Sequence, residues 1–360
     1  MSSNLKLFGI LEAMLLVALV SLSDYSAVIC SEISKEDRQA VFWDKNIDDE
    51  LSQRHVFTSN EWNILKKKAQ TQNVVKLERG CGRPKNMLAV LEDGSKVCCR
   101  YREHQMKELR GEIYSYFFNR LLNLWNAPPS VLVLVEFSSE QWKQVAKQAQ
   151  DIGWKDKSHI VMTFYVDDIS DVFFPTILKD RSLNLTIETV QKASLSRKEI
   201  FQLAQWSDFI LHDFIIGHTD RLFNTLFNLQ WNSKMMDMSV HNLKQTSSGQ
   251  LVLLDNESGF WMGYSLQEWD PKKYEFQAHF LNRLCLFRES TVERINHFTT
   301  LNDNSNTADE FLEHFIDSHD HFSFSTLPKL TEAFRYEFVI RISTVLNHIQ
   351  SCTKNQHHSH

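Results

Sequence analysis

Only ten glycines and six prolines are spread over 360 residues. That scarcity limits the fold more than any single motif does. Glycine normally makes up roughly 7% of a chain, and a β-sandwich needs a turn every 8–12 residues or so. The composition therefore argues against an all-β sandwich and rules out collagen-like and linker-like chains. A hydrophobic share of 42%, with 25 Phe and 9 Trp, supplies a sizeable core. The length fits two domains or one two-lobed domain. Lys plus Arg total 39 and Asp plus Glu total 45, a net charge of −6, which argues against a strongly basic nucleic-acid binder.

Hydrophobic patterning then places the elements. Residues 61–79 read as a helix. Met87–Leu91 and Lys96–Tyr101 flank an Asp93-Gly94 turn and read as a hairpin. Leu109, Ile113, Tyr116, Phe117, Leu121 and Leu124 fall at helical spacing over 107–124. Val131–Phe137 and Ile160–Val166 read as strands around a helical stretch. The second half is mainly helical. Residues 198–216 form an apolar stripe that stops at Gly217, 275–298 and 330–350 read as helices, and 301–322 as a loop. Leu226–Trp231 and Leu251–Leu254 read as short strands. The expected organisation is a lead-in over 31–60, a small β-containing lobe over 61–170, a larger mainly helical lobe over 171–352 and a disordered tail over 353–360.

Lys6 followed by the apolar run 7–20 has the pattern of a secretory signal or signal anchor over 1–30. Glu12 interrupts the run, and the uninterrupted part is short for a span of about 20 residues. Cleaved signal, short anchor and buried first helix all remain open, and membrane contact is expected only through this segment. Six cysteines include no C-x-x-C pair, which argues against a zinc ribbon. In an oxidising compartment disulfides are expected. Cys81 and Cys98 flank the hairpin, and Cys285 and Cys352 are the other distant pair, although spacing alone does not fix connectivity. Asn184 and Asn256 head glycosylation sequons. Asn184 is the expected glycan carrier, and Asn256 is expected to stay bare because it adjoins a candidate metal ligand.

Two aspartates stand out. Asp220 follows a long apolar helix and a glycine, and Asp255 follows a four-residue apolar strand. Each emerges where a rigid element ends, so it can be held still and yet be reached. Phosphoryl transfer uses such a pair, one Asp taking the hydroxyl proton and the other holding a divalent metal against the phosphates. Asn224, four residues after Asp220, is a candidate second metal ligand, one position short of the usual kinase spacing. Arg100 ends the hairpin strand and Glu112 sits on the next helix, the place of the basic residue and its glutamate partner in a kinase. Arg replaces the usual Lys there, trading a point charge for a planar fork. Lys96 is a weaker candidate, nearer the turn. Taken singly, each Asp reads equally well as a turn residue or cap, the Arg–Glu pair as a surface ion pair worth about 0–1 kcal/mol, and His218 as a packed histidine. The order basic strand, Glu helix, Asp loop, Asp after strand is what points to a bilobal kinase.

Leu211–Arg221 with Asn228–Trp231, Leu254–Gly259 with Gly263-Tyr264, Gly80–Arg83 and Cys285–Glu289 resemble the four-jointed family over roughly residues 78–295. The resemblance implies an atypical bilobal protein-kinase-like fold of the α+β class, related to the Golgi secretory-pathway kinases. It implies a location in the Golgi lumen or outside the cell, ATP with Mn²⁺ or Mg²⁺, and Ser/Thr acceptors on cadherin repeats of the Fat and Dachsous type. Asp220 would be the base, Asp255 and Asn224 metal ligands, and Arg100 with Glu112 the nucleotide pair. The alternatives are an inactive secreted ligand of the same fold and a glycan kinase.

Overall fold

The computed structural model describes residues 35–300 and 308–356, position 271 apart. The segment read as a signal and the terminal histidines lie outside the described residues. Among the described residues no helix is long and apolar enough to cross a membrane.

Residues 35–53, expected as a loose lead-in, form helices α1 (Lys35–Val41) and α2 (Lys45–Gln53). Val41, Phe42, Trp43, Ile47 and Leu51 are buried, and the Trp43 indole donates to Ser207 Oγ at 3.0 Å. Ile47 and Leu51 stand four apart, a single apolar stripe that a polar neighbourhood conceals. Helix α3 (Ser59–Thr71) opens with a reciprocal capping box between Thr58 and Glu61 and stops before Asn73. The rest of the expected 61–79 helix is strand β1 (Val74–Arg79), where the β-branched Val74 and Val75 favour extended backbone.

The hairpin forms as expected, with β2 (Met87–Leu91) and β3 (Lys96–Tyr101) in antiparallel register. Helix α4 (Met106–Leu121) follows, then β4 (Ser130–Val135), α5 (Ala146–Ile152) and β5 (Ser158–Phe164). The five strands form one antiparallel sheet in the order β1-β2-β3-β5-β4. Helix α4 packs on β4 and β5 and also on the 256–258 turn, so it is buried nearly all round. Gly111 makes that double contact possible, since a Cβ there would lie 2.4 Å from the Glu257 carbonyl oxygen.

A second sheet contains β6 (Ser170–Phe173), β7 (Ser239–Gln245) and β8 (Leu251–Leu253), all antiparallel. Around it stand α6 (Thr176–Lys179), α7 (Ile187–Lys192), α8 (Arg197–Ile215), α9 (Leu222–Asn228), α10 (Met262–Trp269), α11 (Lys272–Leu281), α12 (Glu289–Thr300), α13 (Ala308–His319), α14 (His321–Thr326) and α15 (Glu332–Gln356). Four expectations change here. Leu226–Trp231 is no strand: α9 carries Phe223 and Phe227 at i, i+4 with rings stacked 5.6 Å apart. The 275–298 helix is two helices. Between them, Leu284 and Phe287 form isolated bridges to Leu185 and Phe42. Of the expected 301–322 loop, residues 308–319 are helix α13, with Leu312 and Ile316 buried. Residues 353–356 of the expected tail belong to α15, which runs to Gln356, and 357–360 lie outside the described residues.

Candidate active site

Helix α8 ends at Ile215, and Gly217 turns the chain at φ +64°, a conformation that favours glycine. His218 follows, buried at 2% exposure. Its Nδ1 accepts the Asp220 backbone N–H at 3.2 Å, which puts the ring proton on Nε2, 3.1 Å from the Asp255 carbonyl oxygen. One imidazole thus joins the two candidate loops. Burial, aided by the Arg221 charge, pushes His218 down to about 3, so the ring is neutral at neutral pH. It is a packed connector, as its sequence context indicates, and not a proton carrier.

Asp220 is partly open. Its Oδ2 accepts from Asn242 Nδ2 at 2.8 Å and lies 3.2 Å from His241 Nδ1, while Oδ1 has only a long 3.5 Å contact with Asn224 Nδ2. One oxygen is anchored and the other is available to accept a proton. Burial raises the Asp220 pKa, and the Asp255 charge adds to this while His241 opposes it. A raised carboxyl suits a base. The Asn224 side-chain oxygen accepts from Asn228 Nδ2 at 2.6 Å.

Asp255 leaves β8 in the left-handed region, φ 56° and ψ 59°, strained backbone of the kind found at functional sites. Arg100 Nη1 donates to its Oδ1 at 2.6 Å, and Arg100 Nε stands 3.6 Å from Glu112 Oε2, an ion pair too long for a hydrogen bond. Three predicted residues from β3, α4 and the loop after β8 therefore meet. Burial opposes the charge on Arg100, but Glu112 and Asp255 outweigh it and hold the guanidinium ionised. Burial raises the pKa of Glu112. Lys96 is exposed at the far end of β3 and takes no part.

Beneath the loops lies Arg221. It grips Asp213 with two bonds, Nε–Oδ2 at 3.0 Å and Nη2–Oδ1 at 2.6 Å, and its Nη1 donates to the Leu254 carbonyl at 2.9 Å and to Asn256 Oδ1 at 3.0 Å. Burial works against the Asp213 charge, yet Arg221 outweighs it and holds the carboxyl well below the usual range. Asn256 is fully buried, its amide nitrogen bonded to the Leu253 carbonyl at 2.9 Å, so the folded chain offers this sequon to no glycan. Asn184 is exposed ahead of the Thr186 cap of α7. Disulfides join Cys81 to Cys98 and Cys285 to Cys352, leaving Cys99 buried and free.

Above Asp255 sits a second cluster that sequence reasoning missed. Arg102 donates to Glu257, to Glu108 Oε2 at 2.7 Å and to Asn86 Oδ1 at 2.7 Å. Arg83 reaches the same two carboxylates, Glu108 Oε2 at 3.0 Å and Glu257 Oε1 at 3.2 Å. Burial and the Asp255 charge push Glu257 up to about 7. The signal in the sequence was the Gly80–Arg83 motif, which carried the resemblance but no assigned role. Asp213 likewise lay inside the Leu211–Arg221 motif without an assigned role, and Asn242 and His241 had no signal at all.

A hard divalent cation suits the partly open Asp255 carboxylate, and the Asp220 charge acting on the same region adds to its negative field. Both Glu112 oxygens are buried beside Asp255, where the Arg100 charge and the Asn256 backbone N–H favour the carboxylate.

A model of the four-jointed box protein middle domain matches residues 60–355. The chain is 34% identical over 256 residues to four-jointed box protein 1 of Xiphophorus maculatus, covering 71% of this chain and 58% of that protein. It is 31% identical over 330 residues to the extracellular serine/threonine protein kinase four-jointed of Drosophila melanogaster, covering 78% and 55%. It thus spans a little over half the length of these curated relatives. Among solved structures, a Golgi casein kinase superposes with a TM-score of 0.57 at 12% identity, covering 94% of this chain and 90% of that one. The Golgi casein kinase with Mn/ADP bound gives 0.53 at 10% identity, covering 93% and 89%. These likenesses fix the fold as that of the Golgi casein kinases, an atypical bilobal kinase fold, and the matched family domain and relatives make this chain a member of the four-jointed box family.

Proposed function

We propose that the chain is a secretory-pathway serine/threonine protein kinase, working in the Golgi lumen or outside the cell. The observation that carries this reading is the joint placement of Asp220 and Asp255 through one neutral histidine, beside the Arg100–Glu112 pair. Asp220 Oδ1 takes the proton of an acceptor hydroxyl while Asn242 and His241 hold Oδ2 in place. Arg100, tied to Glu112, turns its fork toward the phosphates of ATP. Asp255, with Asn224 as a further donor, would hold Mn²⁺ or Mg²⁺, which would supply charge neutralisation for the phosphate oxygens. A lobe boundary at about residue 170, after the five-stranded sheet, supports a nucleotide site between the lobes. The family resemblance supports Fat- and Dachsous-type cadherin repeats as substrates.

One contact favours a second reading. Arg100 Nη1 occupies Asp255 Oδ1 at 2.6 Å, as it would in an inactive ligand of the same fold. Phosphate transfer from labelled ATP and Mn²⁺ to purified cadherin repeats, beside glycosaminoglycan primers, separates the readings. Incorporation into the repeats that disappears in Asp220→Ala and Asp255→Ala is the expected result. Incorporation into the primers alone would make the chain a glycan kinase, and none into either would favour the inactive ligand.

A further inference from the structure

Three arginines surround Asp255 and Glu257, and they are not equivalent. The side chains of Arg100 and Arg102 are 7% and 5% exposed, whereas that of Arg83 is 56% exposed. Arg102 already serves both of Arg83's partners, donating Nε to Glu108 and Nη2 to Glu257. If Arg83 swings away, neither buried carboxylate loses its only cation. Arg83 is thus the solvent-exposed member of a redundant pair, able to change partners without leaving either carboxylate, or its own charge, buried and unpaired, and orphaning a buried charge is what makes breaking such pairs costly. Its position is also fixed. The loop that carries it is tethered by the Cys81–Cys98 disulfide to β3, two residues before Arg100. The charges of Asp255 and Asp220 both act on it.

Resting on the kinase reading above, we propose that Arg83 is a phosphate-binding residue of the nucleotide site, exchanging Glu108 and Glu257 for phosphate oxygens when ATP enters. A guanidinium fork matches phosphate geometry with two parallel bonds. The chain has no G-x-G-x-x-G loop, the segment that covers the phosphates in protein kinases. A tethered loop presenting one arginine does that work here. The ion pairs with Glu108 and Glu257 park the side chain in the absence of ligand.

The test is a calorimetric titration of the full chain with adenosine, ADP and ATP in the presence of Mn²⁺, comparing wild type with Arg83→Ala, Arg83→Gln and Arg83→Lys. The expected result is that Ala and Gln raise the Kd for ATP about tenfold or more, Lys raises it less, and adenosine binding is unchanged. Melting temperatures without ligand identify any variant whose folding is disturbed, and the Gln variant then stands in for Ala. Wild-type affinity for ATP in the folded Ala and Gln variants, with wild type binding ATP, would overturn this inference alone and leave Arg83 as a surface ion pair. Equal weakening of adenosine and ATP would also overturn it, since the effect would not follow the phosphates. Failure of wild type to bind ATP would overturn both this inference and the kinase reading.

Discussion

The two arginine clusters on either side of Asp255 are built differently. In the lower one, Arg221 is fully buried, takes both oxygens of a buried Asp213 and reaches two further acceptors in the Asp255 loop. In the upper one, Arg83 and Arg102 share two carboxylates, Arg83 is half in solvent, and Glu257 is held near its point of protonation. A cluster in which each cation is indispensable fixes a loop. A cluster with a redundant cation can let one go. The lower cluster serves position and the upper one serves exchange.

This contrast can be broken by experiment. Arg221→Met leaves the buried Asp213 without its arginine, and urea unfolding should show a loss of about 3–5 kcal/mol. His218 gives the next effect. Its pKa is pushed below the ordinary histidine value to about 3, so its stabilisation is complete above about 6.5 and is lost as pH falls toward 3. Thermal melts across that window should decline, and His218→Gln should flatten the decline. Gly111→Ala drives a methyl into the Glu257 carbonyl and should cost about 1–3 kcal/mol by the same urea measurement. Asn242→Ala frees Asp220 Oδ2, so kcat for phosphate transfer should drop about tenfold, while the strain of Ala at φ 55° should cost only about 1 kcal/mol of stability. Arg83→Ala should change stability least, within about 1 kcal/mol, because it removes one half-exposed ion-pair partner. If Arg83→Ala unfolded the chain as readily as Arg221→Met, the contrast between the clusters would fail.

The site was legible in sequence where local pattern and chemistry coincide. Asp220 and Asp255 each end an apolar run, and Arg100 and Glu112 lie on a hairpin and helix that periodicity reveals. The rest depends on contacts between distant segments. Arg102 meets Glu257 across 155 positions, and Asn242 meets Asp220 from a strand with no motif. Nothing within a helical or strand period encodes such pairs. The fold misreadings have a similar cause. The helix over 45–53 is stabilised by packing on α8 and by the Asp48–Arg288 ion pair, 240 positions apart, and its local composition is polar. In 226–231, apolar residues look like a short strand until the aromatic stacking along α9 is seen.

The central claim is that Asp220 and Asp255 divide the work between base and metal ligand. Measuring Mn²⁺-dependent ADP binding and phosphate transfer side by side on wild type, Asp220→Ala and Asp255→Ala tests it most directly. Transfer should vanish in both variants. The rise in melting temperature on adding Mn²⁺ and ADP should survive in Asp220→Ala and disappear in Asp255→Ala. A full shift in Asp255→Ala, or transfer that persists without Asp220, would contradict the account.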